Sequence, residues 1–178
     1  MATAGAASLV HDTVHVYTDG SCSKNGTPAA VSGCGVWFGE GDARNVSAVT
    51  PLPPHTNQRA ELCAVLMALR IVLAAPVPPC AVVVTSDSKY CVDGITSWLA
   101  KWEAHGWCKY DGSPVANLDL WQAVRAVMRD LDDRNIALRL VWTKGHASNP
   151  GNVAADRLAS EAVQRALNSA PLRCPGTE

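Results

Sequence analysis

Val14-His15-Val16-Tyr17-Thr18-Asp19-Gly20-Ser21 is the stretch on which the reading of this chain turns. Its side chains alternate: His15, Tyr17 and Asp19 fall on one side and Val14, Val16 and Thr18 on the other, the period of a β-strand. The pattern predicts a short strand that delivers the Asp19 carboxylate at its exposed end. Gly20, lacking a side chain, is expected to permit a sharp turn there and a close approach to a ligand. Three later acids, Glu61, Asp87 and Asp156, are expected to converge on that carboxylate.

Outward from this strand, Ser21 to Ala30 carries the turn cluster Lys24-Asn25-Gly26 and Pro28. Val31 to Phe38 and Ala43 to Val49 read as strands separated by Gly39-Glu40-Gly41-Asp42, so three antiparallel strands open the chain. Pro51, Pro53 and Pro54 close that segment, each lacking a backbone donor. Leu62, Val65, Leu66, Leu69, Val72 and Leu73 recur at helical spacing over about Gln58 to Ala74, with Glu61 in the first turn. Ala81 to Ser86 has the continuous apolar character of a strand buried on both faces, and Asp87 sits where it stops.

Lys89 to Glu103 is helical in pattern but interrupted at Gly94, which predicts two short helices. Asn117 or Asp119 is placed to cap a helix over about Leu118 to Leu131, and Ile136 to Trp142 alternates as a last strand. A loop from Thr143 to Gly151 then leads to a final helix starting near Asn152, with Asp156 in its first turns. The order predicts an α/β domain with one core: a mixed five-stranded sheet flanked by helices. Its expected extent is 13–168, between a short N-terminal extension at 1–12 and a C-terminal tail at 169–178.

Bulk properties exclude several classes. With 178 residues, 48% hydrophobic and 17% charged, the chain has enough apolar matter for a real core. Arg70 interrupts the longest apolar run, Leu62 to Ala75, so no membrane span is expected. Met1 to Asp12 carries neither a basic region nor a long apolar one, and the expectation is a soluble, intracellular protein that acts as a monomer. The seven cysteines are widely spaced without a C-x-x-C pair, and reduced thiols packed as small hydrophobes are expected. A net charge of −1 gives no bulk sign of nucleic-acid binding. If the four acids are neutralised by cations the balance turns positive, with Lys24, Arg59, Lys89, Lys144 and Arg157 near the site in sequence.

Hard divalent cations take oxygen ligands, so carboxylates converging from stiff elements suit them. Two such ions can activate a water and stabilise the leaving oxygen of a phosphodiester. Taken singly, each acid also fits a plainer role: Asp87 before Ser88 as a helix cap, Glu61 or Asp156 as an acid favoured at a helix N-terminus. His146, between Gly145 and Ala147, is a candidate proton shuttle because imidazole titrates near neutral pH.

Over Val14 to Ala166 the chain resembles the type 1 ribonuclease H family. The residues that carry the resemblance are Tyr17-Thr18-Asp19-Gly20-Ser21, Thr56-Asn57-Gln58-Arg59-Ala60-Glu61, Thr85-Ser86-Asp87-Ser88, Gly94-Ile95-Thr96, Gly106-Trp107 and Lys144-Gly145-His146, with Asn152 and Asp156. It implies a ribonuclease H-like fold and an endonuclease that cuts the RNA strand of an RNA-DNA hybrid, leaving 3′-hydroxyl and 5′-phosphate ends. By the same resemblance Asp19, Glu61, Asp87 and Asp156 hold two Mg2+ ions, with Mn2+ as an alternative, and His146 moves a proton or helps product leave. RNA contacts fall on Asn25, Asn57 and Gln58 and on the backbone around Cys22 to Lys24, reading the 2′-OH that DNA lacks. The same resemblance implies that the DNA strand runs over Tyr90, Trp98 and Trp102, and that Thr56 and Asn117 form a phosphate pocket; the spacing of Trp98 and Trp102 also allows them to seal a core.

The sequence also departs from the family. Where many relatives are strongly basic it reads Trp102-Glu103-Ala104-His105-Gly106-Trp107-Cys108-Lys109, which implies weaker binding and a shallower salt dependence. Pro54 stands where some eukaryotic relatives place an arginine, and Lys89 where the family often has an uncharged side chain. No separate N-terminal hybrid-binding domain is expected ahead of the strand. Two rival readings are a hybrid-binding protein with little turnover and another nuclease or strand-transfer enzyme of the same fold.

Overall fold

The computed structural model describes residues 12–51, 53–145 and 149–169. Strand β1 (Thr13–Ser23) is central. On one side it pairs antiparallel with β2 (Val31–Trp37), which pairs antiparallel with β3 (Val46–Val49). On the other it runs parallel to β4 (Ala81–Ser86), which runs parallel to β5 (Ala137–Trp142). The sheet is therefore mixed and five-stranded, as expected from the sequence, and its strands lie in the order β3-β2-β1-β4-β5. The helices are α1 (Asn57–Leu73), α2 (Lys89–Asp93), α3 (Leu99–Ala104), α4 (Leu118–Asp133) and α5 (Pro150–Ser169).

Two close helix-on-sheet approaches set the layers. A Cβ added at Gly35 would lie 2.1 Å from the Ala155 carbonyl oxygen, and one at Gly33 would lie 2.7 Å from the Ala162 Cβ. Glycines on one face of β2 thus meet buried alanines of α5, and the backbones come together. On the opposite face a Cβ at Gly20 would stand 2.2 Å from the Glu61 backbone nitrogen. Gly20 is accordingly no turn: it pairs with Cys34 inside the strand, and what its bare backbone admits is α1 rather than a ligand.

Between the sheet and α1 lies the apolar core. Leu62, Val65 and Leu69 of α1 pack with Trp121, Val124 and Leu131 of α4 and with Val16, Val82 and Val84 of the strands, all with no residual exposure. Each such side chain contributes about 1.5–3 kcal/mol by leaving water. Cys34 and Cys91 are buried within this layer as small apolar groups, and Cys174 lies outside the described residues. No helix among the described residues is long and apolar enough to cross a membrane.

Local expectations differ from the structure elsewhere as well. Residues 43–45 belong to a loop instead of β3, because the Asn45 side chain accepts from Phe38 N at 2.7 Å and donates to the Gly39 oxygen at 2.7 Å. The two short helices expected about Gly94 are present as α2 and α3, but no loop parts them: Gly94 is right-handed, φ −57°, and opens a π-helical turn, Gly94–Trp98, that joins them. A Cβ there would meet the Trp121 ring at 2.1 Å, so the glycine makes room for a buried indole. Asn117 stands at the N-cap of α4 in the left-handed region, φ 57°, without a side-chain cap bond.

Gly35→Ala is expected to lower the unfolding free energy by roughly 1–3 kcal/mol, because α5 must move off β2 to admit one methyl group. A urea denaturation midpoint equal to that of the unsubstituted protein would contradict the seam described above.

Candidate active site

The parallel register between β1 and β4 brings the first two acids together. Pairing runs from Thr13 opposite Ala81 to Thr18 opposite Ser86, so the next residues are Asp19, still within β1, and Asp87, just past the end of β4. β1 itself continues to Ser23 against β2. Asp19 is thus in mid-strand and only 6% exposed, not at a free end as its sequence suggests; what ends beside it is β4. Its Oδ1 accepts from Gly20 N at 2.8 Å, which orients the carboxyl group.

Glu61 enters from the first turns of α1, 7% exposed, its Oε1 accepting from Asn57 Nδ2 at 3.3 Å. The Glu61 Oε2 is buried without a partner. Carboxylate oxygens of Asp19, Glu61 and Asp87 all lie within 4.8 Å of one another. Asp156 of α5 lines the same pocket, of about 320 Å³, without joining that tight group. Crowding and burial act on protonation: desolvation, then the charges of Asp87 and Asp156, push Asp19 up to about 8. Desolvation, then Asp19 and Asp87, push Glu61 up to about 9.

Asn152, a residue the chemical reading of the sequence left without a role, is 3% exposed and donates Nδ2 to Asp87 Oδ2 at 3.2 Å. Trp142 Nε1 donates to the Asp87 backbone oxygen at 3.0 Å. Asp87 is therefore held from β5 and α5 together. A Cβ at Gly145 would lie 2.6 Å from Asp87 Oδ2, so the chain leading to residue 146 passes against the pocket. His146 itself lies outside the described residues. The α5 helix is capped by Asn149, whose Oδ1 accepts from Gly151 N at 3.1 Å and Asn152 N at 3.4 Å, ahead of Pro150 at the first helical position.

The residues expected to meet nucleic acid fall into two groups. Next to Glu61, Asn25 Oδ1 accepts from Asn57 N at 3.3 Å, Gln58 is exposed, and Thr56 caps α1 by accepting from Arg59 N at 3.2 Å. Further along, Tyr90, Trp98, Trp102 and Trp121 form a chain of tilted and edge-on ring contacts. Tyr90 Oη accepts from Trp121 Nε1 at 2.8 Å and from Asn117 Nδ2 at 3.0 Å, which is where the Asn117 side chain goes in place of capping. Trp98 and Trp102 are half-buried and line an apolar pocket, and Trp102 also packs against the core.

Charges near the site are less free than the sequence suggests. Arg59 grips Asp119 through two bonds of 2.8 and 2.7 Å and ties α1 to α4. Lys89 sits over the Trp142 ring, 5.2 Å from its centroid. Glu103, in the segment that departs from a basic pattern, accepts from Arg125 Nε at 2.8 Å and from Arg129. It clamps α3 to α4, and the two arginines compensate its charge.

The fit to hard cations follows from this donor set: three crowded oxygen ligands, one buried and unpartnered, whose protons a divalent ion would displace. Comparison with known proteins agrees in kind. The family model described as RNase H matches residues 11–164. The chain is 39% identical over 150 residues to a ribonuclease H from Alcanivorax borkumensis, covering 84% of this chain and 91% of that one. It is 40% identical over 163 residues to a ribonuclease H from Rickettsia bellii, covering 92% and 96%. Among solved structures it is similar to LC9-RNase H1, a type 1 RNase H with the type 2 active-site motif, at a TM-score of 0.66 and 31% identity over 86% of this chain and 72% of that one.

Both raised carboxyls bind protons more tightly folded than unfolded, so the metal-free fold loses stability as the pH rises from near 4 through about 8 to 9. Melting in EDTA is expected to fall between about pH 5.5 and pH 8.5, with a smaller fall in Asp19→Asn. Equal slopes for the two proteins would contradict the crowding at Asp19.

Proposed function

This chain belongs to the RNase H family and is a ribonuclease H; from that premise we propose that it hydrolyses the RNA strand of RNA-DNA hybrids, leaving 3′-hydroxyl and 5′-phosphate ends. The observation that carries the reading is the group of three carboxylates within 4.8 Å, fixed within a strand, just past a strand end and at a helix start. The proposed ligands are Asp19, Glu61, Asp87 and Asp156. When bound, a pair of Mg2+ ions, or Mn2+ in their place, supplies an activated water and charge stabilisation at the leaving oxygen.

The protein's own residues prepare that chemistry. Asn152 and Trp142 hold Asp87 in place, so little rearrangement is needed when charge develops. Asn25, Asn57 and Gln58 flank Glu61 on the side proposed to receive the RNA strand, where amide side chains can both donate to and accept from a 2′-OH. Tyr90, Trp98 and Trp102 offer ring surface to the DNA sugars, with Thr56 and Asn117 as the phosphate pocket and Lys89 adding positive charge. His146 is proposed to move a proton or assist product departure, a role the passage of Gly145 against Asp87 supports. The catalytic domain is taken as 13–168, acting as a soluble intracellular monomer.

A uniformly labelled hybrid tests this, with duplex and single-stranded RNA as controls. Cleavage is expected only of the hybrid and only with a divalent ion; EDTA should abolish it. Asp19→Asn is expected to remove turnover while keeping the fold, and retained turnover in Mg2+ would reject the ligand assignment. His146→Ala should slow cleavage on the order of 10²-fold, and an unchanged rate would remove it from the mechanism.

A further inference from the structure

Beside the carboxylate pocket, two buried hydroxyls meet an imidazole. Ser32 pairs across the ladder with Cys22, which lines the pocket, and is fully buried; Thr50 is 3% exposed. Ser32 Oγ and Thr50 Oγ1 are hydrogen-bonded to each other, and Thr50 Oγ1 also donates to the Ser32 carbonyl at 3.1 Å. His55 Nδ1 lies 3.0 Å from Ser32 Oγ and 3.1 Å from Thr50 Oγ1.

When the Thr50 proton goes to the Ser32 carbonyl, the Ser32 proton goes to Thr50 and both hydroxyls are used as donors. In that arrangement the imidazole contact is filled by a proton that Nδ1 carries and donates. The neutral Nδ1–H tautomer does this as well as the imidazolium, so the contact needs no charge.

His55 immediately precedes Thr56, Asn57 and Gln58. Its carbonyl accepts from Cys22 Sγ at 3.6 Å, and two residues on Asn57 N donates to Asn25 Oδ1 at 3.3 Å. The stretch before α1 thus has a side-chain anchor in β2 just ahead of the residues proposed to face RNA. Glu61 lies a turn further on, flanked by Ala60 and Leu62, which the core holds independently. We propose that His55 is a positioning residue for RNA: its Nδ1–H, donated to the Ser32 and Thr50 hydroxyls, fixes the entry of α1 and with it the placement of Asn57 and Gln58. This rests on the hybrid-cleaving reading for its substrate but not for its geometry.

The test separates the two. In the full chain, His55→Ala is expected to raise KM for the hybrid roughly three- to tenfold, the effect of one hydrogen bond, with kcat little changed. Amide exchange at Asn57 should accelerate while core amides keep their protection. His55→Asn, whose amide nitrogen can take the Nδ1 position and donate, should restore both. Unchanged KM and exchange in His55→Ala, a loss confined to kcat, or a His55→Asn protein no better than the alanine variant would each overturn the proposal. If the unsubstituted protein cleaves no hybrid, the hydrolase reading falls; exchange at Asn57 then decides the positioning role alone, acceleration supporting it and an unchanged rate overturning it.

Discussion

Like charges held in contact are the constraint that the rest of this structure answers. Asp19, Glu61 and Asp87 crowd their oxygens into one buried corner, and desolvation compounds their mutual repulsion. Flexible supports would let them separate. Here Asp19 is locked by ladders and a backbone bond, Asp87 by an indole and a carboxamide, and Glu61 by a helix whose apolar face is sunk in the core. Rigid secondary structure therefore maintains an arrangement that is unfavourable until a cation enters.

The close approaches of helix to sheet serve the same end. Gly20 admits the start of α1 to β1, and Gly33 with Gly35 admit α5 to β2. Each acid-bearing helix is thereby brought nearer than ordinary side chains would allow. The aromatic wall and the Glu103 clamp lie along the flank from α2 to α4, where Gly94 leaves space for the Trp121 ring. A charge that reads in sequence as a weakened basic segment is, in three dimensions, a tie between helices.

Much of this was legible from local pattern. The alternation from Val14, the helical spacing from Leu62 and the apolar run ending at Ser86 give the elements, and their order gives the sheet. Other features depend on partners far along the chain and have no local signature. Asp119 looks like a cap but grips Arg59; Asn117 looks like a cap but serves Tyr90; Glu103 looks solvated but holds two arginines. Gly20 suggests a turn because a glycine in sequence gives no sign of whether a ligand or a helix fills the space beside it. His55 is likewise meaningless until β2 places Ser32 beside Thr50.

The order in which the acids occur along the chain has a consequence for synthesis. Asp19 and Glu61 emerge early, Asp87 midway, and Asn152 and Asp156 only with the helix that docks against the β2 glycines. Domains emerge at about 5–20 residues per second, so the earlier acids are made seconds before the last one. During that interval nothing yet exists to cover Gly33 and Gly35, and the pocket lacks Asn152 and Asp156. Docking of α5 covers that face and brings Asn152 and Asp156 to the pocket in one event, so the pocket takes its final form only when that helix is in place.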